Sequence, residues 1–207
     1  MHSATIKEVL QRKQLLQEIT VNGWVRSFRS NRFIALNDGS TLNTIQCVID
    51  FEKFDENLLK QINTGAALKI TGTLVESQGR GQSVEIQVNN IHVHGTSDPE
   101  TYPIQPKKHS LEFLREKAHL RIRTNTFAAV MRVRSALSFA IHQYFRDNGF
   151  YYFHAPIITG SDAEGAGEMF RVTTLDNKNP PLTEEGAVDY KKDFFGKETH
   201  LTVSGQL

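Results

Sequence analysis

Two short runs, Arg32-Phe33-Ile34-Ala35-Leu36 and Ile45-Gln46-Cys47-Val48-Ile49, alternate apolar residues with an aromatic or a polar one. In an extended strand, neighbours point to opposite faces. If Ile34 and Leu36, and then Ile45, Cys47 and Ile49, fill an interior, Phe33 and Gln46 must point outward. An outward aromatic ring is a platform for an unstacked base, worth ~1–3 kcal/mol per base. A glutamine amide both donates and accepts toward a base edge. Arg26, Arg29 and Arg32 cluster nearby in sequence and offer phosphate or base contacts. Each residue also has a plainer reading. A neighbouring segment can cover the ring, a strand glutamine can be mere polar surface, and loop arginines can serve solubility. Their coincidence on one barrel favours a single-stranded nucleic acid.

The elements that would position these residues are strands. Ile19–Phe28, Arg32–Asn37, Thr44–Phe51, Ala67–Glu76 and Ser83–Val93 read as five short strands, with a helix over Asp55–Asn63 between the third and fourth. That order is an OB-fold barrel. Gly23 marks a bend or bulge, Asp38-Gly39 a tight turn, and Ile6–Leu16 a helix packed beside the barrel. From residue 98 the grammar changes. Asp98-Pro99, Pro103 and Pro106 break regular structure, and a basic stretch from Lys107 to Arg123 follows. That stretch is either a solvated linker face or a linker lying along an RNA backbone. Phe127, Val130, Met131, Arg134, Leu137, Ile141, Tyr144 and Phe145 then recur at helical spacing, with Thr124 or Asn125 as cap and Gly149 at the end. An aromatic strand, Phe150–Ala155, is halted by Pro156. The expected domains are an OB-fold over 1–97, a hinge over 98–123 and a second domain over 124–207, in an α+β chain.

Composition bounds the function. The 207 residues are 39% hydrophobic and 23% charged, as in a globular protein. A net charge of +1 excludes a sequence-blind nucleic-acid coat and makes any such contact local. One cysteine, Cys47, excludes an intramolecular disulfide and fits a reducing, cytoplasmic setting. The start lacks the basic-then-apolar order of a signal peptide, and no apolar run reaches the ~20 residues of a membrane span. The eight histidines show no metal-ligand spacing, and Gly79-Arg80-Gly81 is too short for a phosphate loop.

Gly23-Trp24-Val25-Arg26-Ser27-Phe28-Arg29, Phe33–Gly39 and Ile45–Asp50 together resemble the N-terminal domain of the class IIb aminoacyl-tRNA synthetases. Phe127–Pro156 is similar to the helix-strand-proline motif 1 of class II enzymes. The stretch Ile157–Phe170, containing Glu164-Gly165-Ala166-Gly167-Glu168, is similar to the asparaginyl branch, as are His119–Thr124 and Leu201–Leu207. Ile122 and Ala163 depart from the family's usual Pro and Cys, and neither is a proposed contact. The resemblance implies the opening elements of a class II antiparallel-sheet catalytic domain after the barrel. It implies that Arg29, Phe33 and Gln46 read the central uridine of the anticodon and that Glu164 holds the substrate α-amino group. It further implies that Gln206 contacts asparagine beside Ser204, that Glu168 supports the site, and that the segment ending in Pro156 lies at a homodimer interface. The whole enzyme would use ATP and Mg²⁺ to attach asparagine to tRNA(Asn). The resemblance puts the motif 2 and motif 3 arginines beyond Leu207. The 207 residues would then carry no catalytic residue, bind neither ATP nor Mg²⁺ tightly and be inactive alone. An aspartyl enzyme is the nearest alternative, a lysyl one a weaker one, and a non-catalytic OB-fold RNA-binding module the alternative from another class.

Overall fold

The computed structural model describes residues 3–79, 81–161 and 169–205. Alternating apolar residues build β1 (Glu18–Arg29), β2 (Phe33–Asn37), β3 (Ile45–Val48), β4 (Ala67–Glu76) and β5 (Val84–Gly95). They close a barrel in the order β1-β2-β3-β5-β4, with β4 returning to β1 and β3 lying parallel to β5. The inward residues Ile34, Leu36, Ile45, Cys47, Leu68, Ile70, Leu74 and Ile86 are 0% exposed. Burial pushes the Cys47 thiol far up, so this sulfur is a packing atom rather than a nucleophile.

The barrel is tight enough to demand glycine at two strand positions. A Cβ on Gly72 would lie 2.2 Å from the Gln87 carbonyl oxygen, beside the register shift between Thr71 and Gly72. A Cβ on Gly23 would lie 2.8 Å from the Asn37 oxygen. Gly23 was expected to mark a bend or bulge. The bulge in β1 instead falls between Val25 and Ser27, and Gly23 admits the β2 backbone.

Around the barrel, α1 (Ile6–Leu10) is shorter than the expected Ile6–Leu16. Thr5 and Glu8 form a reciprocal capping box at its start. The chain leaves the helix at Gln11 because its backbone pairs elsewhere. Leu16 N–H donates to Leu74 O at 2.8 Å, and Leu74 N–H to Gln17 O at 3.0 Å. Helix α2 (Glu56–Lys60) lies between β3 and β4 and is capped by Asp55. The hinge carries a helix that the prolines had hidden, α3 (Leu111–Glu116), capped by Ser110. Ile104 and Leu114 are buried.

The chain divides into two compact units, Met1–Ala140 and Ile141–Leu207. The long helix α4 (Asn125–Asp147) starts in the first and ends in the second. Thr124 caps it through Phe127 N–H at 3.3 Å. Gly149 (φ +84°) ends it as Phe150 N–H donates back to Phe145 O at 3.0 Å, a Schellman closure. In the second unit β6 (Ile158–Thr159), β7 (Arg171–Val172) and β8 (Thr199–Leu201) form an antiparallel sheet in the order β6-β8-β7. The expected strand Phe150–Ala155 is not one. Its backbone joins no ladder, and Tyr151 and Phe153 are 97% and 84% exposed. A strand needs a partner to satisfy its backbone, and the described residues supply none.

Asp193 organises the loops of this unit. Its carboxylate accepts the hydroxyls of Thr173 and Thr174 and the backbone N–H groups of Thr174 and Phe194. The Thr173 hydroxyl contributes most, and together these donors hold the carboxyl down at about 2 against the cost of burial.

Two outcomes follow from this packing. Gly72→Ala should lower the unfolding free energy by about 1–3 kcal/mol, read as a fall in the urea midpoint; an unchanged midpoint would contradict the close approach. For Asp193 the folded pKa lies below the unfolded one. Its stabilisation is therefore complete above pH ~4 and disappears as pH falls toward 2. The Thr174 amide resonance should titrate with that low midpoint, and Asp193→Asn should abolish the titration.

Candidate functional site

The outer face of β1, β2 and β3 is assembled by register. Arg29 pairs with Phe33 across β1 and β2, and Phe33 pairs with Val48 across β2 and β3. Ala35 pairs with Gln46, so Gln46 lies diagonal to Phe33 on the same outer face. Phe33 and Gln46 are half-buried while Ile34 and Cys47 between them are fully buried, as the alternation requires.

A two-residue turn aims this face. Arg32 N–H donates to Arg29 O at 3.0 Å, and Ser30 and Asn31 have φ of 53° and 49°. Positive φ at both central residues is the turn whose twist matches paired strands. It brings Arg29 opposite Phe33 and sets the Arg32 guanidinium 5.7 Å from the Phe33 ring centre. The ring, the amide and two cations thus share one surface, which can stack a base, bond its edge and neutralise a phosphate.

Arg26 does not join them. It is the extra residue of the β1 bulge, donates to Asn125 Oδ1 at 3.0 Å, and has its pKa lowered by burial. Close by, the Arg123 guanidinium sits 4.4 Å from the ring of Trp24, and that of Arg121 sits 4.6 Å from Phe127. The basic hinge therefore spends two of its arginines on aromatic faces.

One residue of this surface escaped the sequence reading. Glu85 on β5 is only 7% exposed, and its Oε2 accepts from Gln46 Nε2 at 3.0 Å and from Ser77 Oγ at 2.9 Å. The parallel pairing of Cys47 with Ile86 puts Gln46 and Glu85 side by side on the outer face. A glutamate between two apolar residues reads as an ordinary solvent-facing strand position, and nothing local marks it as buried.

In the second unit Ser204 follows β8. Its N–H donates to Thr202 Oγ1 at 3.3 Å, and the Thr202 hydroxyl donates back to Ser204 O. Thr202 N–H reaches Ile157 O at 2.8 Å, so this turn lies beside the segment that follows the exposed Pro156. Glu164, Glu168 and Gln206 lie outside the described residues.

Comparison with known proteins gives a consistent picture. Residues 19–93 match the OB-fold nucleic acid binding domain, and residues 110–206 match the tRNA synthetases class II (D, K and N). Asparagine–tRNA ligase of Cytophaga hutchinsonii is 58% identical over 100% of this chain and 46% of its own length. That of Porphyromonas gingivalis is 57% identical over 100% of this chain and 45% of its own. The chain therefore spans less than half the length of these relatives. Among solved structures, asparaginyl-tRNA synthetase of Pyrococcus horikoshii complexed with asparaginyl-adenylate has a TM-score of 0.77 at 19% identity, covering 100% of this chain and 44% of that one. Aspartyl-type enzymes share the fold too: a putative one from Leishmania major reaches a TM-score of 0.73 at 16% identity, over 99% of this chain and 39% of that one. Two family matches in succession, with relatives of such identity along the whole chain, lead to one assignment: the chain belongs to the asparagine–tRNA ligase family of class II tRNA synthetases.

Proposed function

We propose that this chain is the N-terminal part of an enzyme that attaches asparagine to tRNA(Asn) at the expense of ATP, and that its barrel reads the central uridine of the anticodon. The observation that carries the reading is the register that sets Arg29, Phe33 and Gln46 on one outer face. Phe33 stacks the uracil, Gln46 bonds its edge, and Arg29 holds the adjoining phosphate or base. Stacking gives affinity to any base, whereas the amide supplies the choice among bases.

The remaining roles follow from family membership. Glu164 binds the α-ammonium of asparagine by a charge-assisted bond, and Ser204 and Gln206 border the same amino acid. ATP would supply the adenylyl group that activates the asparagine carboxylate, with pyrophosphate as the leaving group, and transfer of the asparaginyl group to the terminal adenosine of the tRNA would release AMP. Mg²⁺ would accompany ATP in the whole enzyme; among the described residues no group of three His, Cys, Asp or Glu side chains is placed to hold a metal. The segment of α4 onward to Pro156 forms a homodimer interface. Val133, Leu137 and Tyr144 on that helix are 58%, 58% and 64% exposed, which suits a face awaiting a partner. The enzyme works in the cytoplasm; among the described residues no helix is long and apolar enough to cross a membrane.

Titration with anticodon stem-loops of tRNA(Asn) at one fixed salt concentration tests the barrel. Phe33→Ala should weaken binding by ~1–3 kcal/mol for any central base. Gln46→Ala should erase the preference for central uridine while leaving residual affinity. Equal binding of wild type to loops with and without that uridine would remove the reading. In the whole enzyme, Glu164→Gln should raise the KM for asparagine by roughly 10- to 100-fold in pyrophosphate exchange, the scale of one hydrogen bond to a charged group; an unchanged KM would remove Glu164 from the amino-acid site.

A further inference from the structure

A strand glutamine can turn either its oxygen or its nitrogen toward an approaching base, and the two choices recognise different bases. Here the neighbours decide. Gln46 Nε2 donates to Glu85 Oε2 at 3.0 Å. A carboxylate only accepts, so the nitrogen must be the atom turned toward Glu85. The amide oxygen is then directed away from it, and one amide proton remains for another partner.

Glu85 is held in turn by a chain whose direction cannot reverse. Ser77 Oγ donates to the same Oε2 at 2.9 Å. The Ser77 oxygen already accepts from Gly79 N–H at 3.1 Å and from Gln82 Nε2 at 3.2 Å, so its single proton is committed to Glu85. A backbone N–H can only donate. Bond polarity therefore runs from Gly79 through Ser77 to Glu85 and meets the opposing donation from Gln46. At 7% exposure, Glu85 has little water to offer it another partner.

We infer that Glu85 is the positioning residue that makes this face select uridine over cytidine, by holding the Gln46 oxygen toward the base. The inference rests on the reading of the central anticodon base by Phe33 and Gln46. Uracil presents an N3–H donor flanked by carbonyl acceptors, which meets the Gln46 oxygen and its remaining amide proton. Cytosine presents a lone pair at N3, and two acceptors then face each other. The selectivity resides in the acceptor-only chemistry of a residue that itself touches neither base.

Glu85→Gln keeps the size of the side chain but lets position 85 donate, so that Gln46 can turn over and offer its NH₂ to cytosine. The test titrates the 207-residue chain with stem-loops carrying central uridine or central cytidine, at one salt concentration, with circular dichroism to check folding. Glu85→Gln should cut the uridine-to-cytidine affinity ratio roughly five- to tenfold, the reversal of one hydrogen bond. Ser77→Ala loosens Glu85 without giving it a donor and should keep uridine preferred. An unchanged ratio in Glu85→Gln would overturn the inference while leaving the anticodon reading intact. So would equal loss in both variants, because packing rather than polarity would then set the choice. A Glu85→Gln effect confined to loops altered at the base before the central one would also overturn it, since Glu85 would then touch that base itself. Absence of any uridine preference in the wild type would remove the underlying reading as well.

Discussion

A closed barrel leaves each strand residue two directions, and the interior takes the first claim. Ile34, Leu36, Ile45 and Cys47 are fully buried, and each fixes its neighbour on the outside. A slip of one residue in β2 would bury Phe33 and expose Ile34, at the cost of the core. The outer surface is therefore as well specified as the core. The same constraint explains Gly72 and Gly23. Where the sheet curves enough to close, a neighbouring backbone occupies the space a Cβ would need.

The ends of the barrel strands tie it to its surroundings. Asp38, in the loop after β2, accepts from Ile6 N–H at 2.8 Å and from Ser40 N–H at 2.9 Å, and Ser40 Oγ accepts Lys7 N–H at 3.0 Å. One turn thus caps α1 and braces itself. The next residue, Gly39, offers its carbonyl to Arg132 of α4. On the other side Tyr102 of the hinge closes over Gly65, where a Cβ would lie 2.7 Å from its ring. The loop joining the strands that carry Phe33 and Gln46 is thereby anchored at points remote from their outer face.

Much of this was legible in the residues. Alternation revealed all five barrel strands, and the same alternation assigned Phe33 and Gln46 to the outside. Helical periodicity found α4, and Gly149 marked its end. What stayed hidden depends on partners distant in sequence. The helix from Ile6 stops early because Leu16 and Gln17 bond to Leu74, 58 and 57 residues away in sequence, a contact that no local propensity encodes. The turn at Ser30-Asn31 carries positive φ without glycine, so its usual signature is missing. Arg26 left the arginine cluster because it stands at the β1 bulge and bonds Asn125, 99 residues on. Glu85 looked like surface because the amide that bonds it, Gln46, stands 39 residues away on β3. The aromatic run after Gly149 had strand composition but found no ladder. Short motifs, by contrast, carried the family assignment independently of these details.

The most direct test of a base-reading outer face is proximity between ring and base. Nuclear Overhauser spectra of the chain bound to an anticodon stem-loop, with Phe33 and the central uridine selectively labelled, measure it. The account predicts cross-peaks between the Phe33 ring protons and uridine H5 and H6, with H5 and H6 shifted upfield by the ring stacked on them. Cross-peaks from Phe33 to protein alone, with the uridine protons unshifted in a saturated complex, would contradict it.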